Sequence, residues 1–208
     1  MDYKKQISNY TTLPNVEIEI RLGSINVYNK NKFDSSIDKL YFEKILKNLE
    51  QFNEWKYTYV MNTVEYLKNN LRTIEYENGY DLNIVKEKIY KQDYQLKNVP
   101  FDIRFSINQE LVTPESVNKE DSLIRKKSRK TFQADNFKYD LTYVTEIKNN
   151  IPKDKYEIEV ELIINKDTLE WSDKYINDFL ICKIQDIVNI LYEKDSKIPE
   201  SLLFINNS

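Results

Sequence analysis

Apolar and charged residues alternate one for one in two short segments that lie far apart in the chain. The first is Val16-Glu17-Ile18-Glu19-Ile20-Arg21-Leu22, and the second is Tyr156-Glu157-Ile158-Glu159-Val160-Glu161-Leu162. In a β-strand alternate side chains share a face. Each segment therefore reads as a strand with one apolar face and one face of charges, mostly carboxylates.

The same period-two reading extends along the chain. Residues 1–14 read as an irregular lead-in. Gly23-Ser24 breaks the first strand, and Ile25 to Tyr28 form a short second one. Asp34-Ser35-Ser36 is an N-cap cluster for a helix over about 36–53, where Ile37, Leu40, Tyr41, Ile45, Leu49 and Phe52 recur at helical spacing. Trp55 to Leu67 is rich in β-branched and aromatic residues and predicts one or two strands. Asn78-Gly79 between Leu71–Tyr76 and Leu82–Tyr90 predicts a hairpin. Four more strands follow over 101–110, Ser122–Phe132, Phe137–Thr145 and Tyr156–Ile164, with Asn149-Asn150-Ile151-Pro152 marking the last connection. A second amphipathic helix covers 173–193. No internal repeat or linker interrupts residues 1–208, so one domain is expected: mainly β, with antiparallel strands and two flanking helices.

Composition narrows the chemistry. The 208 residues carry a net charge of −3, so any basic surface is local. There is no histidine, which excludes Ser-His-Asp and Cys-His catalysis and His-ligated zinc. Two glycines, Gly23 and Gly79, cannot build a Gly-rich phosphate loop. The one cysteine, Cys182, leaves no internal disulfide partner, fits a reducing compartment and reads as a small core residue of the second helix. No apolar run is long enough for a membrane helix.

Charge signs are sorted by strand. Arg125, Lys127 and Arg129 share one face; Asp140 and Thr142 share another; Arg104, Ser106, Asn108 and Glu110 share a third. Arg72 and Lys86 fall on opposing strands of the hairpin. A sheet with one solvated face usually mixes its polar residues. Sorted signs instead fit a closed barrel with a charged interior, where an acidic wall binds a divalent cation and a basic wall binds phosphate.

These motifs resemble a known family. EIEIRLG at 17–23, LRTIEYENG at 71–79, VKEKI at 85–89, FDIRFSINQE at 101–110, RKKSRKTF at 125–132, YDLT at 139–142 and EIEVEL at 157–162 are similar, in order, to the metal-dependent RNA 5′-triphosphatases of fungal, protozoan and large-DNA-virus mRNA capping systems. The resemblance implies the triphosphate tunnel fold, a closed antiparallel eight-stranded β-barrel braced by two helices. It implies Mg2+ or Mn2+ on Glu17, Glu19 and Glu161, and Glu159 positioning or activating the attacking water. Arg72, Lys127 and Arg129 are then expected on the γ-phosphate. Lys86, Glu110, Arg125, Asp140, Thr142 and Glu157 are expected to complete the wall.

The substrate it implies is the 5′-triphosphate end of nascent RNA, with Mn2+-dependent nucleotide hydrolysis as a side activity. Its viral members imply a fused or associated guanylyltransferase and an intracellular location: host cytoplasm, virus factory or virion. Two other readings stay open at this level: a tunnel enzyme for tripolyphosphate or nucleoside triphosphates, and a non-catalytic β-rich module that binds RNA.

Overall fold

Asparagine and glycine supply the turns. Asn69, Asn149 and Asn150 have φ of 59°, 52° and 61°, and Gly79 has φ of 80°. Asn is among the few residues with a side chain that enter this left-handed region readily. Asn149-Asn150 makes a two-residue hairpin with both residues at positive φ, as the right-handed strand twist demands. At Gly79 the loop is closed by Gly79 N donating to Tyr76 O at 3.0 Å.

The computed structural model describes residues 7–26 and 32–192. Its strands are β1 (Val16–Asn26), β2 (Lys32–Asp34), β3 (Tyr57–Lys68), β4 (Leu71–Tyr76), β5 (Asp81–Tyr94), β6 (Asp102–Val112), β7 (Leu123–Gln133), β8 (Phe137–Lys148) and β9 (Ile151–Leu162). Two helices accompany them, α1 (Lys39–Gln51) and α2 (Asp173–Leu191). The strands are ordered β2-β1-β6-β5-β4-β3-β7-β8-β9, and every pairing is antiparallel. β9 returns to β1 through Glu19↔Glu161, Ile20↔Val160 and Arg21↔Glu159. That contact closes eight strands into a barrel, and β2 extends the far end of β1 outside the ring.

The main apolar core lies outside the barrel. Ile18, Ile20 and Leu22 of β1, Ile103, Phe105 and Ile107 of β6, and Ile158, Val160 and Leu162 of β9 are buried there. They pack in one cluster with Phe42, Ile45 and Leu49 of α1 and Ile176, Leu180, Ile184, Ile187 and Val188 of α2. Each such side chain contributes roughly 1.5–3 kcal/mol by leaving water. The helices therefore brace one side of the ring, and the opposite side, around β3 and β7, faces solvent.

Several local expectations are corrected. β1 runs through Gly23-Ser24 without a break, and Gly23 is needed for packing rather than turning. A Cβ there would lie 2.2 Å from Asp34 O and 2.5 Å from the Phe33 ring. β2 begins at Lys32; Val27 and Tyr28 of the expected second strand lie outside the described residues. The cap of α1 is Asp38, whose carboxylate accepts from Leu40 N at 2.7 Å, not the 34–36 cluster. Phe42, Ile45 and Leu49 form the buried stripe, while Leu40 is 69% exposed. Phe52 follows the helix end and is also exposed. Trp55–Leu67 holds one strand, and Ile151-Pro152 belong to β9 rather than to the turn. Cys182 is exposed. It sits two positions from both Leu180 and Ile184, about 200° around the helix from each, and so points outward.

Candidate active site

The inward face of each strand is the charged one, so the barrel is lined by ionisable groups. Glu17, Glu65, Arg72, Lys86, Glu110, Arg125, Lys127, Arg129 and Glu159 line a cavity of about 130 Å³ in the middle of the tunnel. Arg21, Arg72 and Lys86 also line an adjoining cavity of about 610 Å³, which Glu19 borders. Arg72 pairs opposite Ile84 in the hairpin register, so Lys86, two residues on, shares its inward face. Asp140 and Glu159 are cross-strand partners, as are Thr142 and Glu157. All thirteen residues singled out from the sequence therefore belong to one barrel interior.

Burial makes these charges costly unless each is paired. Glu19, 2% exposed, accepts from Arg21 at 3.0 Å, Ser106 Oγ at 3.0 Å and Asn108 Nδ2 at 2.9 Å. Burial opposes its charge, but Arg21 and Lys86 outweigh it and hold the carboxyl below the usual range. Glu159 is also buried, yet Arg21 at 3.2 Å and Arg129 at 3.6 Å hold its carboxyl well below the usual range. At Glu161 burial acts in the same direction but prevails: its carboxyl is pushed up to about 8 despite Lys138 at 3.0 Å, with the charge of Glu17 adding to the rise. Burial likewise raises Glu17, although Lys86 contacts it.

The basic wall is organised in the same way. Lys127 pairs with Glu65 at 2.5 Å, and burial, aided by Arg125 and Arg129, lowers its ammonium to about 8. Arg125 donates to Glu157 at 2.5 Å, and Ser35 Oγ donates to the same carboxylate at 2.8 Å. Arg129 reaches Asp140 and Thr142, each at 3.2 Å. Lys86 bridges Glu17 and Glu110, the latter at 3.3 Å. Arg72 differs from these: it forms no ion pair among the described residues and acts on Glu65 only through its field. Its guanidinium is thus left available to an anion entering the tunnel.

The donor chemistry suits a hard divalent cation. Glu17, Glu19 and Glu161 offer carboxylate oxygens from adjacent strands, with Glu19 directly opposite Glu161. Among the described residues no three carboxylates are drawn together tightly enough to hold a metal as they stand. Each is instead neutralised by a lysine or arginine. Burial chiefly, with the charge of Glu17 adding, raises Glu161, and a divalent cation at this wall would favour its ionised form. The residues present thus fit such an ion on one wall, without preassembling its site.

Sequence reasoning missed Glu65, which faces Arg125 across β3 and β7 and pairs with Lys127. It is a single acid in a neutral strand, so no run of like charges announced it. Lys138 was missed too, although it stands two residues before Asp140 and the period of two leads straight to it. Arg21 was noted only as a motif position; it ties Glu19 to Glu159.

A family model for the mRNA capping enzyme, beta chain, matches residues 29–194. Among solved structures, the S. pombe Pct1 RNA triphosphatase is 19% identical with a TM-score of 0.68, covering 89% of this chain and 86% of that one. The structure of S. pombe Pct1 in complex with the Spt5 CTD gives 18% identity and a TM-score of 0.68, covering 89% of this chain and 87% of that one. The Mimivirus capping enzyme triphosphatase is 15% identical with a TM-score of 0.56, covering 89% of this chain and 92% of that one. At these identities the solved structures establish the tunnel barrel. No curated protein matches this sequence.

Proposed function

This chain belongs to the family of the mRNA capping enzyme beta chain, and from that membership we propose that it hydrolyses the γ-phosphate of 5′-triphosphate-ended RNA. The products are a diphosphate RNA end and inorganic phosphate, the first step of cap formation. The observation that carries this reading is the closed barrel itself, with carboxylates of β1 and β9 facing Arg72, Lys127 and Arg129 across one cavity.

Phosphoryl transfer needs positioning and charge neutralisation more than covalent chemistry. Arg72, Lys127 and Arg129 bind the γ-phosphate oxygens and stabilise charge that shifts onto the leaving diphosphate. Glu17, Glu19 and Glu161 are the residues that would hold Mg2+ or Mn2+, which when bound polarises a phosphate oxygen. Glu159 orients the attacking water by accepting its hydrogen bond. Arg21 and Arg129 make Glu159 a weak base, so its role is alignment, and the water's proton leaves with the inorganic phosphate. The water oxygen bonds to the γ-phosphorus as the γ-phosphorus–bridging-oxygen bond breaks. Lys86 and Glu110 steady Glu17; Arg125 pairs with Glu157 on the same wall and Glu65 holds Lys127; Asp140 and Thr142 aim Arg129.

The reading carries with it a fused or associated guanylyltransferase that uses the diphosphate end, and an intracellular, reducing location. Its test is Glu19→Ala, assayed for metal-dependent phosphate release from γ-labelled triphosphate RNA. Activity is expected to fall on the order of 10³-fold or more while the variant stays folded by circular dichroism. Retained activity removes Glu19 from the metal site. Release from tripolyphosphate alone, with none from RNA, moves the chain to the small-substrate branch.

A further inference from the structure

The two ends of the tunnel differ in how their charges are paired. Toward the start of β1, Glu17 and Glu110 share Lys86, and Glu161 pairs with Lys138. Toward the other end the larger cavity is bordered by Lys88, Lys91 and Arg104, with Arg21 and Arg72 deeper in.

A β-bulge creates this basic mouth. In β5 the register with β6 slips between Lys88 and Tyr90: Lys88 pairs with Asn108, Tyr90 with Ile107, Lys91 with Ser106 and Asp93 with Arg104. Strict alternation from Lys86 and Lys88 would turn Tyr90 and Gln92 inward. The extra residue turns Lys91 and Asp93 inward instead, the re-aiming that bulges produce. Asp93 is then taken up by Arg104, which grips it at 2.6 and 2.9 Å and lies 4.4 Å from the centroid of the Phe33 ring. Lys88 and Lys91 form no ion pair among the described residues, and both are exposed. The mouth therefore offers two ammonium groups without carboxylate partners, in line with Arg72.

We propose that this mouth receives the sugar–phosphate chain downstream of the triphosphate, with Lys88 and Lys91 contacting its first phosphodiesters. The proposal rests on the RNA triphosphatase reading and extends it. A free nucleotide has no phosphodiester beyond its triphosphate for these lysines to contact, so they favour a polynucleotide. The unpaired lysines set the direction of entry, γ-phosphate first and RNA chain trailing through their mouth. Lysine serves here as a point charge on phosphate and reads no base.

The test compares the wild type with the double variant Lys88→Ala/Lys91→Ala. Each is given a short triphosphate-ended oligoribonucleotide and ATP, the latter as substrate or as competitive inhibitor, with the same metal. The ratio of kcat/KM for RNA to the corresponding constant for ATP is expected to fall about ten-fold at low salt. The slope of log KM for RNA against log salt is expected to flatten by about 1.4, two single-strand phosphate contacts' worth. Lys91→Arg in place of the alanine restores part of the ratio.

An unchanged ratio, whether both substrates weaken equally or neither does, overturns the proposal. Fluorescence anisotropy with a 5′-hydroxyl RNA separates the two levels. A wild type that releases no phosphate from RNA, but binds it in a salt-dependent way that the double variant loses, overturns the triphosphatase reading and leaves the basic mouth standing. Active wild type and double variant with equal anisotropy remove the mouth alone.

Discussion

β1 and β7 are both strands of the same closed ring, but only β1 alternates apolar with charged residues, over residues 16–22, and the two sit in different surroundings. β1 pairs with β6 and β9 and turns Ile18, Ile20 and Leu22 to the helices, all at 0% exposure. β7 pairs with β3 and β8 and turns Lys126 and Ser128 to solvent. Their inner faces are alike in burying charge: Glu19 on one, Arg125 and Lys127 on the other. The ordinary explanation of alternation, a sheet with one face on bulk solvent, cannot hold for β1, because its charged face lines the tunnel and its apolar face lies under the helices. Polar residues on β7 lie on both faces, so its pattern says nothing about which face matters. The covered strand thus identifies the interior, and the bare one acquires its meaning through the ring.

The comparison breaks most visibly on the outer face of β1. Ile20 is fully buried among residues of both helices and neighbouring strands. Ile20→Ala removes packed methylenes and leaves a cavity, so it is expected to cost about 3 kcal/mol of stability in a denaturant titration. A loss below about 1 kcal/mol would mean that the helices do not cover this wall as described.

A second test sharpens the inner face of β7. Lys127 titrates at about 8 because burial disfavours its charge. Its ammonium is present below that pH and lost above it, and phosphate binding needs the charge. At saturating metal, which holds Glu161 ionised, kcat/KM on triphosphate RNA should therefore fall by up to about ten-fold per pH unit above about 8. Lys127→Arg should move that alkaline limb upward, since guanidinium stays charged. If the limb stays where it was in the arginine variant, another group sets it.

How much of this was legible in the sequence follows from what is local. Alternation is a property of neighbouring residues, so the inward faces of β1, β7, β8 and β9 were readable, and the Asn-Gly turn placed Arg72 and Lys86 on facing strands. The resemblance supplied closure, which no single segment encodes. The bulge in β5 was not legible, because one extra residue leaves composition unchanged and shows only against the register of β6. Glu65 was hidden for a related reason: its meaning comes from Lys127, 62 positions away. The stripe of α1 was partly misread: Asp38, not the earlier serines, caps it, and Phe42 rather than Leu40 joins Ile45 and Leu49 on the buried face. Ser35 was thereby freed for another task, donating to Glu157 at the back of the basic wall.

The smallest expected effect is the most demanding test of the two-strand comparison. Lys126 is adjacent to Lys127, carries the same charge and belongs to the same motif, but it lies on the outer face of β7 and forms no ion pair among the described residues. A simple electrostatic attraction of RNA to a basic segment would make the two lysines interchangeable. A tunnel makes them opposites, since only Lys127 shares a cavity with Arg72 and Glu159. Lys126→Ala is accordingly expected to change stability by less than about 0.5 kcal/mol, the usual range for an exposed substitution. Thermal denaturation and phosphate release, measured on the same preparation, give both answers. A loss of activity comparable to that of Lys127→Ala would place the working face of β7 on the outside of the barrel. It would turn the sorted charges back into a surface patch.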